Sequence, residues 1–261
     1  MIALFFLLVS PLVRAGDPAA DEKFLRLKTP EALAVRKKAE EEWQRTATLK
    51  GDEALIQKAR ALDILTPYFY EEADAKCYRY QRRLSATPAC FEKEVKGLNE
   101  KYGSGSFEYL GDQILIQYTG LHYRQLLEQY PKSRYQDEAS FRLLRGGELI
   151  NNDPEVVFAK VDNWLKKYPK SPLAPQAWLL LGRLYADGWY LFKTRTFVAI
   201  GMQVDDQALD DMAMRYKGKG LWAFKQVMNL FPQSKEAVVA KKEYDLLVHD
   251  QNDGVFYGLS Y

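Results

Sequence analysis

Two histidines, two cysteines and one cluster of aspartates are the residues of this 261-residue chain whose types and spacing could do chemistry. Neither His122 nor His249 begins a His-Glu-x-x-His pair, the spacing that sets two zinc ligands on one helical face. His122 stands beside Tyr123 on an expected helix, where a packing role is the plainer reading. Asp205-Asp206 and Asp210-Asp211 have metal-like spacing, since Asp206 and Asp210 share a helical face. No other hard ligand lies nearby, and Asp205 as an N-cap with acidic residues against the helix dipole accounts for the same pattern. Gly103-Ser104-Gly105-Ser106 is glycine-rich, but no Gly-Lys-Ser/Thr follows, so it reads as a turn ending in an N-cap at Ser106 rather than a phosphate cradle. No Gly-x-Ser-x-Gly nucleophile elbow occurs. The expectation is a protein without a metal site or cofactor, and not an enzyme.

The balance of charge narrows the partners. Lys and Arg number 37 against 35 Asp and Glu, a net charge of +2, which lacks the basic excess of a nucleic-acid binder. The first residues differ from the rest: Ile2 to Val9 carries no charge, and Val13-Arg14-Ala15 places small residues at −3 and −1 of a cleavage site. That pattern reads as a signal peptide over 1–15, cut after Ala15, and predicts a periplasmic or secreted protein. No Lys or Arg precedes the run, so a start upstream of Met1 stays open, as does a buried N-terminal helix. Nothing later is apolar for the roughly 20 residues a membrane span needs.

In an exported chain Cys77 and Cys90 are expected to pair. Reach argues the other way. If the helix bearing Cys77 runs to Leu84, Cys77 lies about 10 Å below the corner, whereas a disulfide needs Cα atoms within about 7 Å. The bond closes only if the helix ends early or the corner bends, and two buried thiols remain the alternative.

The elements that carry these residues read as helices. Thr29-Pro30, Thr66-Pro67 and Thr87-Pro88 each set a capping hydroxyl before a proline suited to a first helical position, within an N-terminal helical region over 16–102. Phe69, Ala73, Cys77, Tyr80 and Leu84 recur at helical steps, as do Phe91, Val95, Leu98 and Tyr102.

From residue 103 the chain repeats itself. Tyr130-Pro131-Lys132-Ser133, Tyr168-Pro169-Lys170-Ser171 and Phe231-Pro232-Gln233-Ser234 are three copies of an aromatic-Pro-x-Ser corner, in which proline stops one helix and serine caps the next. Trp178-x-x-Leu181-Gly182-x-x-Tyr185 sets three large side chains on one helical face, with a glycine that admits a close neighbour. Phe107-x-x-Leu110-Gly111-x-x-Ile114 repeats the spacing with milder residues, and Phe141-x-x-Leu144 repeats half of it. Val161 and Trp164 precede Pro169, as Phe224 and Val227 precede Pro232.

These motifs resemble tetratricopeptide repeats, and more narrowly periplasmic members such as outer-membrane assembly lipoproteins and Tol–Pal coordinator proteins. The resemblance covers 103–250 and implies an all-α solenoid of stacked helix hairpins whose concave groove binds a protein or peptide, an envelope component by analogy. Trp178, Leu181, Gly182, Tyr185 and Phe224 would be structural. Groove positions would be Glu108 and Asp112, Arg142, then Gln176 and Arg183. A second reading is an accessory or degenerate relative of cell-wall lytic enzymes, binding peptidoglycan.

The corners stand 38 and then 63 residues apart, against a repeat of about 34. The excess points to an insertion at about 189–214. Its aromatic and β-branched content predicts an extended hairpin or lid, with Trp189, Phe192 and Phe197 anchoring a partner. Folding back to complete the core is the alternative. In the tail at 251–261, Val255-Phe256-Tyr257-Gly258-Leu259 is apolar enough to fill the same groove.

Overall fold

A computed structural model describes residues 27–79, 88–111, 115–144, 154–195 and 205–252. It is mostly helical and divides into two compact units, Met1–His122 and Tyr123–Tyr261. The signal-peptide reading, Asp112 and Phe197 lie outside the described residues.

The first unit opens with α1, Pro30–Arg45, capped as expected: the Ala32 amide donates to the Thr29 hydroxyl at 3.2 Å. Helix α2 spans Gly51–Arg79 and corrects the reading of Thr66-Pro67 as a helix start, because Pro67 lies inside it. The Thr66 hydroxyl turns back to donate to the Leu62 carbonyl at 2.6 Å instead of capping. Leu62 and Leu65 before the proline, and Tyr68 and Phe69 after it, are all buried. That continuous face holds the helix through a residue that costs an isolated helix about 3 kcal/mol.

Helix α3 spans Pro88–Tyr102, starting at its proline. Cys77 and Cys90 lie at disulfide distance, with Cα atoms 5.7 Å apart, and the helix bearing Cys77 is described as far as Arg79. Reduction should lower unfolding stability by about 2–3 kcal/mol. Urea midpoints with and without reductant check this, and an unchanged midpoint would remove the bond.

The expected repeat at Phe107–Ile114 is not helical where described. Strands β1, Phe107–Leu110, and β2, Leu115–Tyr118, pair antiparallel with Phe107 opposite Tyr118 and Tyr109 opposite Ile116. Phe107, Ile116 and Tyr118 are buried, which is period-two packing rather than a helical stripe. Before β1 the chain turns at Gly103 and Gly105, both at positive φ, and Ser106 is no helix cap. Its buried hydroxyl donates to the Tyr102 carbonyl at 3.0 Å. The Asn99 carboxamide then accepts from the Phe107 amide at 2.8 Å and donates to the Phe107 carbonyl at 3.0 Å, standing in for a neighbouring strand. The hairpin belongs to the first unit, so the second unit starts later than the expected boundary at 103.

The second unit contains most of α4, Leu121–Gln129, then α5, Gln136–Arg142, α6, Pro154–Lys167, α7, Ala174–Lys193, α8, Asp206–Leu230, and α9, Lys235–Val248. The three aromatic-Pro-x-Ser corners join α4 to α5, α6 to α7 and α8 to α9. In each, the serine amide donates to the aromatic residue's carbonyl, at 2.9 Å for Ser133 and Ser234 and 3.1 Å for Ser171. Only Ser234 caps its helix directly, accepting from the Ala237 amide at 3.1 Å. Ser133 and Ser171 accept from amides two residues on, and their helices begin a few residues later. Ser171 also donates to the Asp137 carboxylate at 2.6 Å, while the Trp164 indole donates to the Asp137 carbonyl at 3.1 Å. These bonds tie one corner to the preceding helix.

Helices α7 and α8 run antiparallel and form the centre of the unit, with α6 and α9 packed on them. The expected hairpin or lid at about 189–214 is corrected over its described part. Helix α7 continues to Lys193 and α8 begins at Asp206, so much of the extra length lies in longer helices. Burial of Trp189, Leu191 and Phe192 against this core outweighs their modest helix propensity.

Candidate functional site

Where they are described, the residues singled out by chemistry make contacts within the fold. Arg195 follows α7 at a φ of 60° and reaches α8, meeting Asp206 at 3.2 Å and Asp210 at 2.9 Å. Gln207 donates to Asp211 at 2.9 Å. The acidic cluster is thus answered by a guanidinium and an amide. Among the described residues no three His, Cys, Asp or Glu side chains converge as metal ligands. Asp205 holds the expected N-cap position, though its side chain makes no capping bond.

Of the groove positions, Glu108 lies on β1, where its exposed carboxylate accepts from Gln117 across the hairpin at 2.8 Å. It belongs to no helix, which corrects the placement of Glu108 in a first helical repeat. Arg142 ends α5 half-buried, and its Nε has no hydrogen-bond partner among the described residues. Gln176 and Arg183 share a flank of α7, seven residues apart. Arg183 is engaged with Glu243 of α9, its Nε at 3.0 and 2.9 Å from the two carboxylate oxygens. A paired, half-buried guanidinium is a poor reader of an incoming ligand, because binding would first have to break a charge-assisted fork.

The expected anchors also move inward. Trp189 is 2% exposed and Phe192 is buried beside Tyr216 at a ring separation of 5.4 Å. Neither is available at an open surface, which corrects their assignment as partner anchors and favours the core reading of that segment. Leu181, Tyr185 and Phe224 are buried in the same core. Tyr185 packs on Phe158 at 4.3 Å, and burial, with Glu155 and Asp162 nearby, pushes its hydroxyl up to about 12. Lys219 sits over the Tyr185 ring and pairs with Glu155 at 3.4 Å, so this cluster joins α6 to α8.

What remains open is a face that the spacing arguments missed. On α8 the buried positions Leu209, Ala213, Tyr216, Gly220, Ala223, Phe224 and Val227 define the core side. Met214, Gly218 and Trp222 recur every fourth residue on the opposite side, with Met214 66% and Trp222 49% exposed. A Cβ added at Gly218 would meet nothing within 4 Å, so the stripe has a notch at its centre. Trp178 on α7 is half-buried rather than sealed, and its indole meets that of Trp222 edge-on at 5.1 Å. Helical phase across 206–230 contains the signal, but it emerges only once the whole segment is read as one helix. The chain matches no protein-family model, no curated protein and no solved structure.

Proposed function

We propose that this chain is an exported, tetratricopeptide-like helical scaffold that holds a protein or peptide partner of the cell envelope on the outer face of α7 and α8. The observation that carries the reading is the Met214–Gly218–Trp222 stripe with Trp178 at its edge. Tryptophan is a preferred anchor at interfaces, and Trp222 and Met214 are exposed on one face of α8. The repeat-like part of the reading is supported by the three corners and by the approach of Gly182 to Phe224. Export is supported by the apolar leader pattern and by a cysteine pair at bonding distance, which suits an oxidising compartment.

A benzophenone amino acid placed at Trp222 in the full chain tests it. Irradiation in an exporting host should give discrete protein adducts from position 222 that vanish when Met214→Glu is added. The same probe at exposed Lys93 on α3 should give none of these adducts. Co-sedimentation with purified peptidoglycan that depends on Trp222, without protein adducts, would replace this reading by the lytic-enzyme relative.

A further inference from the structure

The exposed stripe on α8 carries an opposite charge at each end. At about 3.6 residues per turn, Asp211, Met214, Gly218, Trp222 and Lys225 all fall within about 40° of one line along the helix. All five are exposed. Neighbouring charges on α8 are answered within the chain: Asp210 by Arg195 at 2.9 Å, and Lys217 by Asp250 at 2.7 Å. Arg215 and Lys219 meet Glu155 at 3.2 and 3.4 Å. Among the described residues neither Asp211 nor Lys225 has an ion-pair partner. Asp211 accepts from the Gln207 side-chain amide at 2.9 Å, and the Lys225 ammonium lies over the Tyr244 ring at 5.4 Å.

The stripe is also symmetric about Gly218. Asp211 and Lys225 each stand seven residues from it, and Met214 and Trp222 each stand four. A two-fold axis at Gly218 sets a second copy of α8 antiparallel to the first. It brings Asp211 of each copy level with Lys225 of the other, and Met214 level with Trp222. The two Gly218 backbones meet at the centre, where no side chain holds the helices apart and a Cβ would find open space within a single chain. The two ion pairs then lie about 21 Å apart, closing the ends of an apolar centre. A parallel copy fails on the same residues, because it sets Asp211 against Asp211 and Lys225 against Lys225. Antiparallel helices also oppose their dipoles. We propose that a second copy of this chain occupies the face, α8 packing antiparallel on α8 across Gly218. The inference rests on the reading of this face as a partner surface and names its first occupant, so that an envelope component gains the face by separating the pair.

Sedimentation of the purified full chain, with the native cysteines oxidised, should show a dimer. Lys225→Glu and Asp211→Lys should each weaken it at least about tenfold, since each sets like charges level, and the two together should restore it. Melting of all three variants should stay near that of the original chain. Gly218→Cys chains should join to one another under mild oxidation, whereas chains carrying Lys93→Cys on exposed α3 should not. A monomer at about 100 μM, above the micromolar range of specific interfaces, would overturn the pairing, as would a dimer indifferent to both charge changes. If the chain is monomeric while position 222 still gives adducts with other proteins, the second copy is wrong and the partner surface stands. If the double exchange rescues the dimer and every adduct at position 222 has twice the chain mass, the second copy stands and the envelope partner is wrong.

Discussion

Gly182→Leu should unfold the second unit at ordinary temperatures or lower its stability by at least about 3 kcal/mol, the upper range of overpacking in a close helix crossing. A Cβ at Gly182 would stand 2.5 and 2.6 Å from two ring carbons of Phe224, distances that side chains do not tolerate. The ring has little room to retreat, since Phe224 is buried within the same core as Leu181, Leu184 and Val227. Gly220 makes the crossing tighter still: a Cβ there would meet Leu247 at 3.0 Å and the Gly182 carbonyl at 3.4 Å. Gly182→Ala is the sharper comparison because two effects oppose. Helix propensity alone would make alanine more stable by about 0.5–1 kcal/mol. The clash with Phe224 should reverse that sign and cost about 1–3 kcal/mol. Adding Phe224→Leu to Gly182→Ala should return part of the loss, because the offending ring atoms are gone. Thermal and urea melting of the three variants check the cycle, and a stabilised Gly182→Ala protein would show that α7 and α8 stand farther apart.

That contact was legible in the sequence because a glycine between large residues at helical spacing has a local cause that the fold leaves intact. The corners were legible for the same reason: proline and serine act on the backbone within three or four residues. The hairpin was not. Phe107, Leu110 and Gly111 fit a helical spacing as well as Phe107, Tyr109, Ile116 and Tyr118 fit an alternating one, and only burial on α2 and α3 chooses between them. Pro67 misled because its cost to a helix is local while the apolar face that overrides it is tertiary. Trp189 and Phe192 misled in the opposite direction, since a run of aromatics looks like a surface anchor until its helix is seen to pass through the centre of the unit. The Trp222 face stayed hidden because its helical phase emerges only when 206–230 is read as one helix, whereas the corner spacing pointed to an insertion across the start of that segment.

The first unit should lose about 3 kcal/mol of stability between neutral pH and pH 4, through His122 alone. The imidazole is buried among Trp43, Tyr118 and the start of α4, its ring edge-on to Trp43 at 5.9 Å. The Tyr118 hydroxyl accepts from the His122 amide at 2.9 Å and lies 3.0 Å from Nδ1. Which of the hydroxyl and Nδ1 donates depends on the tautomer of the neutral imidazole. Protonation would add a second donor facing that hydroxyl and bury a charge. Burial first, and then the positive charge of Lys58, lower the imidazole from 6.5 to about 4. The unfolded chain therefore binds the proton more readily between those values, and stability must rise with pH across that window. The contribution is whole above pH 6.5, falls as pH drops towards 4, and changes no further below it. At about 1.4 kcal/mol per unit the loss reaches about 2 kcal/mol at pH 5 and about 3 kcal/mol at pH 4. His122→Gln keeps an acceptor for Tyr118 and removes the titration. Urea unfolding of both proteins at pH 7, 5 and 4 should give curves whose difference changes by that amount in favour of the variant. Parallel losses in the two proteins would mean that His122 is solvated and titrates as it does in the unfolded chain.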